Sequence, residues 1–220
     1  MNTAIKTFFT NELTANKSAF LAINNLHPLL APWKEKVSVL NVETNTLAFF
    51  EQLEINIREW WTNPETDIDV NAPLYAVLFE YNDIFQGAEI DADAYGISVL
   101  GTPYSSKLEP FNNNSHYDFA DGFYAVPGIT MDCWNDLAQL ASYNIDEEVF
   151  GEIEIYKLEG YEELLKVYLY HAYLALHSAL QQLYDQGKLD AIRKQDPCYF
   201  LIGEHDCGVQ PVFIISSNIA

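Results

Sequence analysis

The sequence 161-YEELLKVYLYHAYLALHSALQQLY-184 decides how the rest of the chain must pack. Tyr161, Leu165, Tyr168, Ala172, Ala175, Leu176, Ala179 and Leu183 recur at spacings of three and four, which stacks them on one face of a helix. Leu164, Val167, Tyr170, Tyr173, Leu174 and Leu180 make the opposite side apolar as well, and a helix apolar nearly all round is covered by other elements on most sides. Glu162 and Glu163 suit the positive end of the helix dipole, and Gly187 supplies a left-handed residue that ends such a helix. The spacing therefore predicts a central buried helix over 161–184.

Downstream, a short turn over 190–194 precedes Pro197, which blocks further helix, and Tyr199 to Gly203 and Val209 to Ile215 read as two strands. Glu204-His205-Asp206-Cys207-Gly208 between them reads as a hairpin turn with Asp in the turn and the glycine at positive φ. Upstream, Ile5, Phe8, Phe9, Leu13 and Phe20 predict an amphipathic helix to about Asn24. Leu47, Phe50, Leu53, Ile57 and Trp61 predict a second helix over 45–61, closed by Pro64. Leu74 to Tyr81, bounded by Pro73 and Asn82-Asp83, reads as a strand buried on at least one face. Ile97 to Leu100, Phe123 to Val126 and Ile153 to Leu158 read as further strands, and Thr130 and Asp132 open a helix carrying Trp134, Leu137 and Leu140. These elements predict a single α+β domain over 1–220, with an antiparallel or mixed sheet packed by helices and ending in a β-hairpin. The stretch from Thr102 to Asp118 is the one seam-like loop.

Composition bounds the function. Eleven basic residues against thirty-two acidic ones give a formal charge of −21, a field that repels nucleic acid and anionic lipid. The same field attracts basic proteins and other cations; solubility or a salty habitat explains it equally well. Met1 to Leu13 has no apolar core of a signal peptide, no window reaches about twenty apolar residues, and Cys133, Cys198 and Cys207 are few and far apart. These features predict a cytoplasmic, bacterial-type setting with three free thiols.

Few residue patterns carry chemistry. Asp91-Ala-Asp93-Ala-Tyr95-Gly96 begins like a calcium loop, but Tyr95 at the fifth place and Thr102 at the twelfth cannot close an oxygen cage, so it reads as a solvated turn and no metal or other cofactor is expected. His205, Asp206 and Cys207 are a turn rather than a thiol site, because base and thiol must converge across a fold. His171 and His177, six apart on one helix, point about 120° apart and cannot share a metal. Between Tyr104 and Tyr124, aromatic residues alternate with Asn112, Asn113, Asn114, Asp118 and Asp121, and a long loop of this kind is either pinned to the core or functional.

The ending Ala179-Leu180 to Leu183-Tyr184-Asp185-Gln186-Gly187-Lys188-Leu189, followed by Phe200 to Asp206, resembles small acidic bacterial proteins that act as immunity partners of polymorphic toxins. The resemblance covers about the last quarter of the chain and implies an α+β domain that binds and blocks a toxin without catalysis of its own. The expected function is a non-enzymatic binding protein for a basic protein partner, with Asp83, Glu89, Asp91, Asp93, Tyr104, Phe111, Tyr117, Asp118 and Asp121 as the contact set. The rival expectation is a hydrolase working through paired carboxylates near the 104–124 loop.

Overall fold

The structure is a computed structural model and describes residues 1–82, 90–100, 117–142 and 154–217. The central helix, α5 (Tyr161–Asp185), runs 25 residues, about 37 Å of helix at 1.5 Å per residue. It packs against α1 (Asn2–Ala22) and α3 (Val42–Asn56). Tyr170 and Tyr173 of α5 meet Phe9 of α1, with ring centroids 6.2 and 5.7 Å away. A short helix α2 (Trp33–Val39), not foreseen from the sequence, sets Trp33 edge-on to Tyr168 at 5.6 Å. Ala172, Ala175, Leu176, Ala179, Leu180 and Leu183 are fully buried; each large aliphatic among them contributes about 1.5–3 kcal/mol by leaving water. The helix begins after Gly160 (φ 92) and ends before Gly187 (φ 71), two positions where a side chain would strain the backbone.

The mixed sheet fits the α+β expectation. Its strands are β1 (Leu74–Tyr81), β2 (Asp91–Leu100), β3 (Tyr117–Phe119), β4 (Val126–Thr130), β5 (Lys194–Glu204) and β6 (Val209–Ile215). The order is β3-β2-β1-β5-β6, with β1 and β5 parallel and the other pairs antiparallel. Since β1 occupies one edge of β2, β3 and β4 share the other, end to end. After β4 the chain leaves the sheet and returns through α5 to lay β5 parallel to β1, a crossover that a tight hairpin could not make.

Phe79 and Tyr81 of β1 point to the helical side: Phe79 meets Trp61 at 5.9 Å, and the Tyr81 hydroxyl lies 3.1 Å from that of Tyr173. On β6, Phe213 packs against His177 and Tyr184 of α5 at 5.7 and 5.9 Å. Side chains seal the outer edge of β6: the Asn2 amide exchanges two hydrogen bonds with the backbone of Ile214, at 2.8 and 2.9 Å. Val212 O lies 2.7 Å from His177 Nδ1. An unpaired edge strand invites another chain to pair with it, and these contacts occupy that edge.

Several sequence expectations need correction. Asp91 to Gly96 is not a turn but the first half of a ten-residue strand, because Asp91, Asp93, Tyr95 and Ile97 alternate with small residues Ala92, Ala94 and Gly96 that fit under the helical layer. The strand expected at Phe123 to Val126 lies later, at 126–130; Ala125 takes φ 51 and Gly122 φ 76, so the chain is still turning at 122–125. Of the strand expected at Ile153 to Leu158, residues 155–157 form a 3-10 turn and Ile153 is outside the described residues. The helix expected over 45–61 is α3 plus a π-helical turn at Ile57–Trp61. The chain already turns through 3-10 geometry at Lys188–Ala191, ahead of the position expected, and β5 is longer than its Tyr199–Gly203 prediction. In the final hairpin Asp206, not Gly208, holds the positive φ, at 60°, a conformation that Asp tolerates through local hydrogen bonding. α4 (Asn135–Ser142) follows a 3-10 turn at Asp132–Trp134, close to the expected start. All three cysteines are unpaired.

Candidate functional site

Strand β2 carries acids and aromatics on one side, away from the helices. Asp93 pairs in register with Glu80, Tyr95 with Leu78 and Ile97 with Ala76. Paired residues of neighbouring strands point the same way, and Glu80 sits between Phe79 and Tyr81, which face the helices. Asp91, Asp93 and Glu80 therefore form a carboxylate row on the second face of the sheet. The Asp93 carboxyl is held above the usual carboxylate range, first by partial burial and then by the charges of Asp91 and Glu80. Among the described residues no lysine or arginine forms an ion pair with any of the three. Among the described residues the one positively chargeable group in contact with the row is His205, whose Nδ1 lies 2.8 Å from Glu80 Oε1. Its backbone N–H donates to Tyr81 O at 2.8 Å, which fixes the hairpin against the end of β1.

Next to the acids lie three rings. Tyr95 and Tyr124 meet edge-on with centroids 4.8 Å apart, Phe119 and Tyr124 at 5.2 Å, and Tyr95 and Phe119 at 6.1 Å. Centroids this close leave no gap for a cation between the rings, so the cluster is a solid apolar surface and not an aromatic cage. Phe119 is 42% exposed and Tyr124 62%. Local backbone chemistry puts them there. Gly96 N–H donates to Phe123 O at 2.8 Å and Ala120 N–H to Gly96 O at 2.9 Å. A Cβ on Gly96 would sit 2.7 Å from the Phe123 side chain. Glycine at 96 thus lets Phe123 pass inward to Trp61, 5.5 Å away, while Tyr124 turns outward over Tyr95. Burial, then the charges of Glu80 and Asp93, push the Tyr95 phenol up.

The acids also line a cavity. Where β2 and β4 meet, the register shifts between Ala92 and Ala94, and a space of about 240 Å³ opens, lined by Asn56, Asp91, Asp93, Pro127, Gly128 and Thr130 among others. The backbone of β4 beside it is already engaged: Trp61 Nε1–H donates to Pro127 O at 2.9 Å, the Asn56 amide donates to Gly128 O at 2.8 Å, and Thr130 N–H donates to Gln52 Oε1 at 2.6 Å. Among the described residues Asp91 and Asp93 are the only charged groups in its lining, so the cavity suits a cationic group. A second cavity of about 210 Å³, lined by Glu54, Ile57, Arg58, Thr62, Lys188 and Ala191, offers no comparable unpaired charge. Lys188 pairs with Glu54 at 2.5 Å and Arg58 with Glu59 at 2.9 Å.

Of the expected contact set, Asp91 and Asp93 come together on the face just described. Asp118 lies on β3 and Asp121 in the turn after it, both exposed; Tyr117 is the first residue of β3, paired with Leu100. Asp83, Glu89, Tyr104 and Phe111 fall outside the described residues. Sequence reasoning did not single out Tyr95 or His205 as contacts, and it read Phe119 and Tyr124 as aromatics of the 104–124 loop without placing them in the contact set. The alternation Asp91, Asp93, Tyr95, Ile97 was the available signal, hidden by its likeness to a calcium loop.

Among the described residues the other polar candidates are held by local contacts or by burial. His205 turns to Glu80 and not to Cys207, whose thiol is pushed up by partial burial and by Glu204 and Asp206, the reverse of activation. His171 and His177 are buried in the helical layer. Among the described residues no group of three or more His, Cys, Asp or Glu side chains is placed to hold a metal ion. Comparison of the chain with protein-family models, curated proteins and solved structures found no match.

Proposed function

We propose that this protein is a non-enzymatic acidic binding protein that takes a basic protein partner on the second face of its sheet, in the manner of an immunity-type inhibitor. The observation that carries the reading is the continuity along β2 of unneutralised acids, Asp91 and Asp93, with the exposed ring cluster of Tyr95, Phe119 and Tyr124. Interfaces concentrate their energy in a few aromatic anchors, while surrounding charge speeds encounter and rejects wrong partners. The net charge of −21 acts in the same direction at long range.

A hydrolase remains the second reading, favoured by Asp93, whose raised carboxyl lines a cavity beside Asp91. The two readings separate on one comparison. A partner captured from the native host is purified and its affinity measured for wild type, for Tyr124→Ser and for Asp93→Asn. The binding reading expects both variants to weaken the complex at least tenfold with the fold intact. Unchanged affinity in both variants overturns it.

A further inference from the structure

We propose that His205 sets the charge of the Asp91, Asp93 and Glu80 row, so that the face takes a basic partner best when this imidazole is neutral. The inference rests on the reading of that face as a docking surface. The geometry is built for such control. His205 is held at the end of the row twice, through its backbone N–H to Tyr81 O and through Nδ1 to Glu80 Oε1, both at 2.8 Å. Its other nitrogen, Nε2, lies 3.6 Å from Asp206 Oδ2.

The charged groups that meet the ring are Glu80 from β1 and Asp206 from its own hairpin, with Asp93 paired beside Glu80 on β2. Every acid among them favours the imidazolium, and the hydrogen bond to Glu80 raises its pKa above that of a free histidine, whose value near 6.5 already lies next to neutrality. When protonated, His205 cancels the charge of Glu80 and leaves two carboxylates for the partner. When neutral, it leaves three. A partner ammonium about 6 Å from the restored charge gains about threefold in affinity through water, and more where solvent is excluded. Further into acid, protonation of Asp93 acts in the same direction, so both titrations weaken the complex as pH falls.

The probe is a decalysine peptide with one fluorescent label, whose ammonium groups stay charged well past neutrality. Its affinity is measured at low salt across the neutral range for wild type, His205→Gln and Glu80→Gln, while NMR follows the His205 ring in the free protein. Wild type should bind about threefold more tightly once the ring is neutral, with a midpoint equal to that of the ring signal. His205→Gln should show no step, and Glu80→Gln should move the ring midpoint down. A step that persists in His205→Gln, or a wild-type affinity flat through the ring's titration, overturns the proposal. The companion variant Asp91→Asn with Asp93→Asn separates the two claims. If it binds decalysine as wild type does, the docking face itself is wrong; if it binds weakly while wild type shows no step, only the role of His205 fails.

Discussion

Acid should unfold this protein partly through one histidine in the middle of its central helix. His171 is 1% exposed, with Nε2 2.6 Å from the Asn45 side-chain nitrogen and Nδ1 without a partner among the described residues. Burial, with a smaller contribution from the charge of Lys17, pushes its pKa down to about 4. The unfolded chain, with an ordinary histidine near 6.5, binds more protons between those values. Stability from this group is therefore complete above about pH 6.5 and is lost as pH falls toward 4. From about pH 7 to about pH 5 the loss is about 2 kcal/mol, a sizeable fraction of the roughly 5–15 kcal/mol that holds a domain together. His171→Leu removes the titration and leaves the Asn45 amide without its partner, which costs about 1–3 kcal/mol at every pH. Urea unfolding, followed by tryptophan fluorescence at both pH values, should find the variant less stable at pH 7. It should then lose about 2 kcal/mol less than wild type on acidification. Equal losses in the two proteins would show that the imidazole is not buried as a neutral group.

Three further outcomes follow from burial and close contact. Leu176→Asp should prevent folding, since Leu176 is fully buried and an unpaired buried charge costs several kcal/mol, whereas Glu163→Gln in the first turn should shift the melting temperature little; equal melting curves would place the helix on the surface. Gly128→Ala should lower stability by about 2 kcal/mol or more, because its Cβ would lie 2.1 Å from Ala92 O and force β2 and β4 apart, and denaturant titration that finds no loss would contradict the close approach of the two strands. In the native protein the exposed Cys207 should be alkylated first, at no more than an ordinary thiol's rate, while Cys133 and Cys198, with thiols pushed up to about 12 by burial, react only on unfolding; mass spectrometry that finds two or three labels before unfolding would refute this.

The elements legible in the sequence were those whose periodicity one environment dictates. The segment 161–184 is buried nearly all round, and its apolar residues leave no second reading. Leu74 to Tyr81 and Val209 to Ile215 are bounded by turn chemistry and came out at their observed limits. The first half of β2 was misread because its inward positions are Ala92, Ala94 and Gly96, too small to look like a strand's buried face, while its outward positions are acids. That choice of residues also builds the site, since small inward residues let Phe123 and the β4 backbone approach and so expose Tyr124. Pairing of Asp93 with Glu80 depends on the register of β1 and β2, and contact of His205 with Glu80 on strand order, which brings residues 125 positions apart together; local patterning carries no trace of either.

The central claim is that the acidic row steers a basic protein onto the aromatic cluster, and association kinetics test it most directly. Rates are measured for the purified partner with wild type and with the triple variant Glu80→Gln, Asp91→Asn, Asp93→Asn, from about 0.01 M to about 1 M salt, over which the reach of a charge shrinks from about 30 Å to about 3 Å. The account predicts that the wild-type association rate falls at least tenfold across that range while dissociation changes little, and that the variant starts slower and falls less. Identical rates and identical salt dependence for the two proteins would contradict it.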